Sequence, residues 1–300
     1  MSSKFTSGNV IRLSDKRAGC GRSRGPGAAH RDPTRVISVT SGKGGVGKTN
    51  IIANLGYQLS RAGQRVLILD ADLGLGNLDI LLGLAPRFNL SHVIMGKKPL
   101  ADILVAGPGG IQILPASSGI QELTQLSLGQ KIEVLSEIDQ LIDSVDILLI
   151  DSAAGISPNV LDFSVTASDM LIVVTPEPTS ITDAYALMKV LSVKYAEKNC
   201  KVVVNMVSSE QEGREVFRQL HLVAEKFLDI AVEYFGSVLL DRQIVKGVKR
   251  QRLVSEFDPE APAVQCFRNL ARRCVNLPMG KVPHGDSNLF WEHILQNGLG

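Results

Sequence analysis

The chain of 300 residues has only four cysteines, Cys20, Cys200, Cys266 and Cys274, and no Cys-x-x-Cys pair among them. That absence argues against thiolate zinc modules and dithiol redox centres and for reduced thiols. His221, His284 and His293 lack metal-ligand spacing. No apolar run approaches the ~18–20 residues that a membrane-spanning helix requires. The first ~30 residues lack the apolar core of a secretory leader, so a cytoplasmic chain is expected. Charge of one sign is also lacking. Thirty-two Lys and Arg stand against 30 Asp and Glu, a net +2, so bulk charge does not make the whole molecule a polyanion binder. What remains is ordinary for a soluble globular chain: 44% apolar and 21% charged residues, in a length that suits one large α/β domain or two small ones.

Residues 1–33 are polar, basic and rich in Gly and Ser, and are expected to form a disordered tail. Beyond them, short apolar runs alternate with amphipathic segments. The runs Val36–Thr40, Arg65–Asp70, Ile111–Pro115, Asp146–Asp151, Met170–Thr175, Lys201–Val207 and Val232–Val238 read as strands. Several are continuous in Val, Ile and Leu, as parallel strands covered on both faces are. Thr49–Ala62, Gly129–Ser144, Asn159–Ala167, Ser180–Lys194, Gln211–Phe227 and Ala263–Cys274 read as helices. This alternation predicts an α/β fold, a doubly wound and mostly parallel sheet with helices on both faces. It forms one domain over 34–277, followed by a linker and C-terminal amphipathic helix over 278–300.

Directly after the first strand stands Ser41-Gly42-Lys43-Gly44-Gly45-Val46-Gly47-Lys48-Thr49-Asn50. Strand, glycine-rich turn and helix in this order make a phosphate-binding loop. Glycines allow the backbone to wrap a phosphate chain, and the loop amides and helix N-terminus present partial positive charge to it. Lys48 suits the β and γ phosphates and Thr49 suits Mg²⁺. The whole segment from Gly42 to Asn50, with Gly44, Gly45, Val46 and Gly47 inside it, is the expected nucleotide site. Lys43 is an extra cation inside the loop.

Two other strand ends carry acids. Leu67-Ile68-Leu69-Asp70-Ala71-Asp72 is followed by the glycine-rich Leu73–Asp79. Asp72 is the expected residue to orient the attacking water, and Asp70 to support Mg²⁺. Ile147-Leu148-Leu149-Ile150-Asp151, an apolar strand ending in Asp, has the Walker B pattern and is a second Mg²⁺ support. Gly155, four residues on, offers a backbone N–H and a permissive φ for a γ-phosphate sensor. Lys43, Lys48, Asp72 and Asp151 form the expected catalytic set; Thr49, Asp70 and Asp151 form the expected metal set.

Lys43 together with Lys48 resembles the deviant Walker A motif of the MinD/ParA ATPases. The resemblance runs from about Arg35 to the C-terminus. It implies ATP and Mg²⁺ as cofactors and a homodimer when ATP is bound, with Lys43 reaching the partner's phosphates. Asp70–Asp79 is similar to the first switch of MinD and of the flagellar-number regulators of the FlhG/FleN branch. Pro176–Tyr185, Gly107–Gly110 and Val248–Arg252 point to the flagellar branch. The resemblance further implies that Asn205 reads the adenine and that Asp241 lies near the base. Its partners would be a FleQ-like flagellar transcription activator and the GTPase FlhF. Some members carry an N-terminal Asp-Gln-Ala motif that activates FlhF; Met1–Asp32 contains none, which favours restraint of the transcription activator. Leu239 stands where the family often has proline.

Near the C-terminus, Phe290, Trp291, Ile294 and Leu295 fall on one face of a short helix. Such a helix can dock on the domain and cover a groove until ATP arrives, or lie in the membrane interface; the resemblance implies the second, a reversible membrane contact through residues 288–299 at the inner face of the cell membrane and towards a pole. The basic residues Lys246, Lys249, Arg250, Arg252, Arg268, Arg272 and Arg273 lack interleaved aromatics and read as a solvated face, which argues against direct DNA binding. A ParA-like partition ATPase that binds DNA non-specifically is the alternative. An iron–sulfur carrier would need cysteines near the second switch, where this chain has Ser152-Ala153-Ala154.

Overall fold

The computed structural model describes residues 33–71, 77–115, 136–165, 167–197 and 199–278. The expected N-terminal tail, Asp72 with its glycine-rich neighbours, residues 129–135 of one expected helix and the C-terminal amphipathic helix lie outside the described residues.

Eight strands form one sheet: β1 (Arg35–Ser41), β2 (Val66–Ala71), β3 (Val105–Ala106), β4 (Gln112–Pro115), β5 (Ile147–Ala154), β6 (Asp169–Val174), β7 (Asn199–Val207) and β8 (Ala231–Leu239). Their spatial order is β3-β4-β2-β5-β1-β6-β7-β8. Every neighbouring pair is parallel except the β3–β4 edge. The seven expected strands are present; the two-residue edge strand is too short to leave a periodic signal.

Among the described residues, the helices of eight or more residues are α1 (Lys48–Arg61), α2 (Pro158–Val165), α3 (Pro178–Tyr195), α4 (Glu210–Phe227), α5 (Arg242–Lys249) and α6 (Pro262–Asn276). α3 begins two residues before the expected start because Pro178 sits in its first turn, where its missing N–H costs nothing. α5 was not expected: its mix of Val, Lys and Gly carries a short signal.

Alternation along the strands divides the core. Ile37, Val39, Ile68, Leu149 and Val203 face α1 and α6, meeting Ile51, Leu55 and Phe267. Leu67, Leu69, Leu148 and Ile150 face the opposite side, under the short helical turns Leu90–Ile94 and Leu100–Ile103. Ile172, Val174, Val202 and Val204 pack under α3 and α4 with Leu187 and Leu220. With both faces covered, the strands' carboxyl ends are left as the place for polar chemistry.

At the other end of the sheet, Asp169 receives Arg35 Nη1 on one carboxylate oxygen and Lys201 Nζ on the other, each at 3.0 Å. Arg35 Nη2 also donates to the Leu277 carbonyl at 2.7 Å, which ties the end of α6 to β1 and β6.

Three cysteines are described, all free. Burial pushes the Cys200 and Cys274 thiols up to about 12. We expect both to resist iodoacetamide in the native protein at pH 8 and to react once urea unfolds it, as peptide mass mapping of the alkylated chain will show.

Candidate nucleotide site

The loop after β1 is built by steric exclusion. A Cβ at Gly42 would stand 2.1 Å from the Asp183 carbonyl oxygen of α3. A Cβ at Gly47 would stand 2.5 Å from Asn205 Nδ2, and Gly47 has φ +90. Neither position admits a side chain. Gly44 and Gly45 face open space instead; Gly45 has φ +79, which favours glycine. We therefore expect Gly47→Ala to abolish nucleotide binding while the sheet still forms, measurable by a fluorescent ATP analogue alongside far-UV circular dichroism.

Gly47 is also the N-cap of α1. No side chain caps this helix, and no acid occupies its first turn. The amides and partial positive charge of a 14-residue helix thus face the loop uncapped by any side chain. Lys48 begins the helix and is buried; Thr49 and Asn50 follow, half-buried. This cradle, with room at Gly44 and Gly45 and Lys48 opening the helix, fits a polyphosphate.

The acids are placed by the sheet. Asp70 and Asp151 are register partners on adjacent strands β2 and β5, and both are more than nine-tenths buried. β5 lies next to β1, where Asp151 is in register with Val39 just before the phosphate loop, and Asp70 lies one strand further on. Among the described residues no three His, Cys, Asp or Glu side chains gather into a metal cage. Two carboxylates and the Thr49 hydroxyl suit Mg²⁺, which completes its shell with water and substrate phosphate.

Gly155 has a structural partner of its own. Its N–H donates to the Ser41 carbonyl at 2.9 Å, so it links the end of β5 to the start of the loop. Ser152 adds to that link, its Oγ donating to the Val39 carbonyl at 3.0 Å.

Asp241 likewise has structural partners. One oxygen accepts from Gln243 N at 2.8 Å and caps α5; the other accepts from Ala263 N at 3.2 Å at the start of α6. Its visible work is to hold two helix starts together. Asn205 is close to the site, buried, and donates from Nδ2 to the Val46 carbonyl at 2.7 Å, so it braces the loop against β7. The next residue, Met206, was missed. It has φ +60, a left-handed conformation that costs a non-glycine residue roughly 1–2 kcal/mol, and its Cε lies 3.5 Å from a Cβ built at Gly47.

Lys43 turns towards α3. Its Nζ donates to Glu177 Oε2 and to Thr179 Oγ1, the latter at 2.9 Å. Glu177 and Thr179 belong to the segment singled out in the sequence for its resemblance, and its contact with the loop lysine was not legible there. Gly107–Gly110 has a packing role: Gly109 lies on the Tyr57 ring of α1, and its carbonyl accepts from Ser60 Oγ at 2.7 Å.

A mostly parallel sheet with a glycine-rich phosphate loop after its central strand and register-paired acids towards the carboxyl ends of β5 and β2, the next two strands on one side, defines a P-loop nucleoside triphosphatase. The chain belongs to the ParA family, whose description reads "NUBPL iron-transfer P-loop NTPase" and which matches residues 32–275. It is 43% identical over 265 residues to the antiactivator FleN of Pseudomonas aeruginosa, covering 88% of this chain and 95% of that one. It is 33% identical over 267 residues to the flagellum site-determining protein YlxH of Helicobacter pylori, covering 88% and 90%. Its fold matches MinD in the MinC:MinD complex of Aquifex aeolicus with TM-score 0.65 and 31% identity, covering 83% of this chain and 99% of that one. MinD of Pyrococcus horikoshii, solved with Mg-ADP, matches with TM-score 0.63 and 25% identity, covering 81% and 97%. The chain is an ATPase of the ParA/MinD type. Iron transfer, named in the family description, has no evident ligand set among the described residues, whose cysteines are scattered through β7 and α6, two of them buried.

Proposed function

We propose that this ATPase is a dimerisation switch that sets flagellar number and restrains flagellar gene expression, acting on a FleQ-like transcription activator. The observation that carries this reading is the 43% identity to an antiactivator along nearly the full length of both chains, with the phosphate loop and both strand-end acids complete. ATP and Mg²⁺ are its cofactors. Gly42–Asn50 hold the phosphates, Thr49, Asp70 and Asp151 support the metal, and Asp72 orients the water. Bound Mg²⁺ supplies charge neutralisation at the phosphates.

Lys43 is the dimer sensor in this reading. In the single chain it is held by Glu177 and Thr179, with about a third of its side chain exposed and Glu177 more open still. An exposed pair of this kind is worth about 0–1 kcal/mol, so it yields readily to a stronger anion such as a partner's bound phosphates. Lys43→Ala should therefore keep ATP affinity within about threefold and remove ATP-dependent dimerisation, read by light scattering with a non-hydrolysed ATP analogue. Membrane contact through 288–299 belongs to the same reading. No helix among the described residues is long and apolar enough to cross a membrane.

The test is deletion in the native cell with a count of flagella, complemented by wild type or by Lys48→Ala. Extra flagella restored to the normal number by wild type alone support the reading. Loss of plasmid or chromosome with normal flagella would replace it with a partition role.

A further inference from the structure

Helix α5 (Arg242–Lys249) carries more apolar surface than its packing uses. Inward it presents Gly247 and the half-buried Ile244. A Cβ at Gly247 would meet the Arg252 carbonyl oxygen at 2.6 Å and the Phe257 ring at 2.9 Å, so the glycine lets the helix lie directly on the next turn. Outward, Val245 and Val248 are 53% and 41% exposed. At ~100° per residue they share one arc with Arg242, Lys246 and Lys249. β-branched residues are weak helix formers, and here no burial offsets that cost. Ile80, 60% exposed, adjoins this end of the fold through Gln251, whose Nε2 donates to the Ile80 carbonyl at 2.9 Å.

The charges of this face are uncompensated locally. Arg252 pairs with Glu256 at 3.4 Å, and the Arg250 guanidinium lies over the Phe257 ring. Asp241 is occupied by two backbone amides, and Asp258 accepts from Gln243. Among the described residues no salt bridge reaches Arg242, Lys246 or Lys249. In a chain with net charge of only +2, three cations ringing two exposed valines are a local feature and not a bulk one.

We infer that the outer face of α5 is a docking surface for an acidic, amphipathic segment of a partner protein. Aliphatic side chains of that segment cover Val245 and Val248, and its carboxylates meet Arg242, Lys246 and Lys249. Duplex DNA would reward the cations and leave the valines uncovered. A second copy of this chain would bring the same cations against each other in a two-fold contact. None of its residues belongs to the proposed phosphate, metal or water-orienting set, so it can be tested independently of the proposed switch.

The experiment uses the full chain and a fluorescently labelled helical peptide of glutamate and leucine, read by anisotropy. Controls are poly-glutamate of equal length, duplex DNA and phosphatidylglycerol vesicles. The peptide should bind, poly-glutamate should bind less well, and Val245→Ser/Val248→Ser and Lys246→Glu/Lys249→Glu should each weaken the peptide by at least about tenfold. Unchanged circular dichroism and ATPase rate show that both variants are folded. Several outcomes would overturn the inference: no peptide binding, full binding by the serine variant, or DNA or vesicles binding more tightly than the peptide. A serine variant that alters only self-association in light scattering would overturn it too.

Discussion

Lys48→Ala is expected to lower the ATPase rate by at least about a hundredfold, the loss typical of removing one preorganised charge donor from a reacting anion. The size follows from where the lysine sits. Lys48 opens α1 directly after the left-handed Gly47, it is buried, and the helix start around it has no side-chain cap. A cation fixed there costs no reorganisation when a phosphate arrives, so its removal takes away both affinity and stabilisation of developing charge. Lys43 differs in kind, since it is one-third exposed and already shared with Glu177 and Thr179. Phosphate release under single turnover, with nucleotide affinity measured separately, should show Lys48→Ala deficient in both and Lys43→Ala deficient in turnover mainly. Equal losses in the two variants would remove the distinction between a phosphate lysine and a dimer lysine.

That distinction was half legible in the sequence. The phosphate loop announces itself because its residue types obey a steric rule within ten positions, and the strand-end acids because parallel strands are apolar until they reach the carboxyl edge. What the sequence could not show are the contacts made across long separations. Asn205 bracing Val46, Asp183 excluding a side chain at Gly42 and Glu177 holding Lys43 each join segments more than a hundred residues apart. Asp241 and Gly155 show the converse case. Their positions after strands suit a ligand, yet their polar groups serve a helix junction and a strand-to-loop link. A motif specifies which groups are available, and only the packing decides which are already spent.

The buried ionic cluster at the opposite end of the sheet separates stability from function. Asp169→Ala is expected to destabilise the fold by about 3–5 kcal/mol, because it leaves Arg35 and Lys201 buried without their shared anion. Arg35, Asp169 and Lys201 all have side chains less than a fifth exposed, so water does little to compensate. For a domain of this size the loss corresponds to a fall in melting temperature of about 6–20 °C. Arg35→Met should cost less, since Lys201 still neutralises Asp169, but it also frees the Leu277 carbonyl that Arg35 Nη2 holds at 2.7 Å. That variant should expose the end of α6 to proteases before the rest of the domain. Both substitutions lie at the amino ends of the strands, away from the phosphate loop. Nucleotide affinity measured well below the melting point should therefore stay within about threefold of wild type, since distant sites act nearly independently. Thermal melts and nucleotide titrations on the same samples check both halves. A large loss of affinity in the still-folded Asp169→Ala protein would mean that this cluster and the nucleotide site are coupled through the sheet.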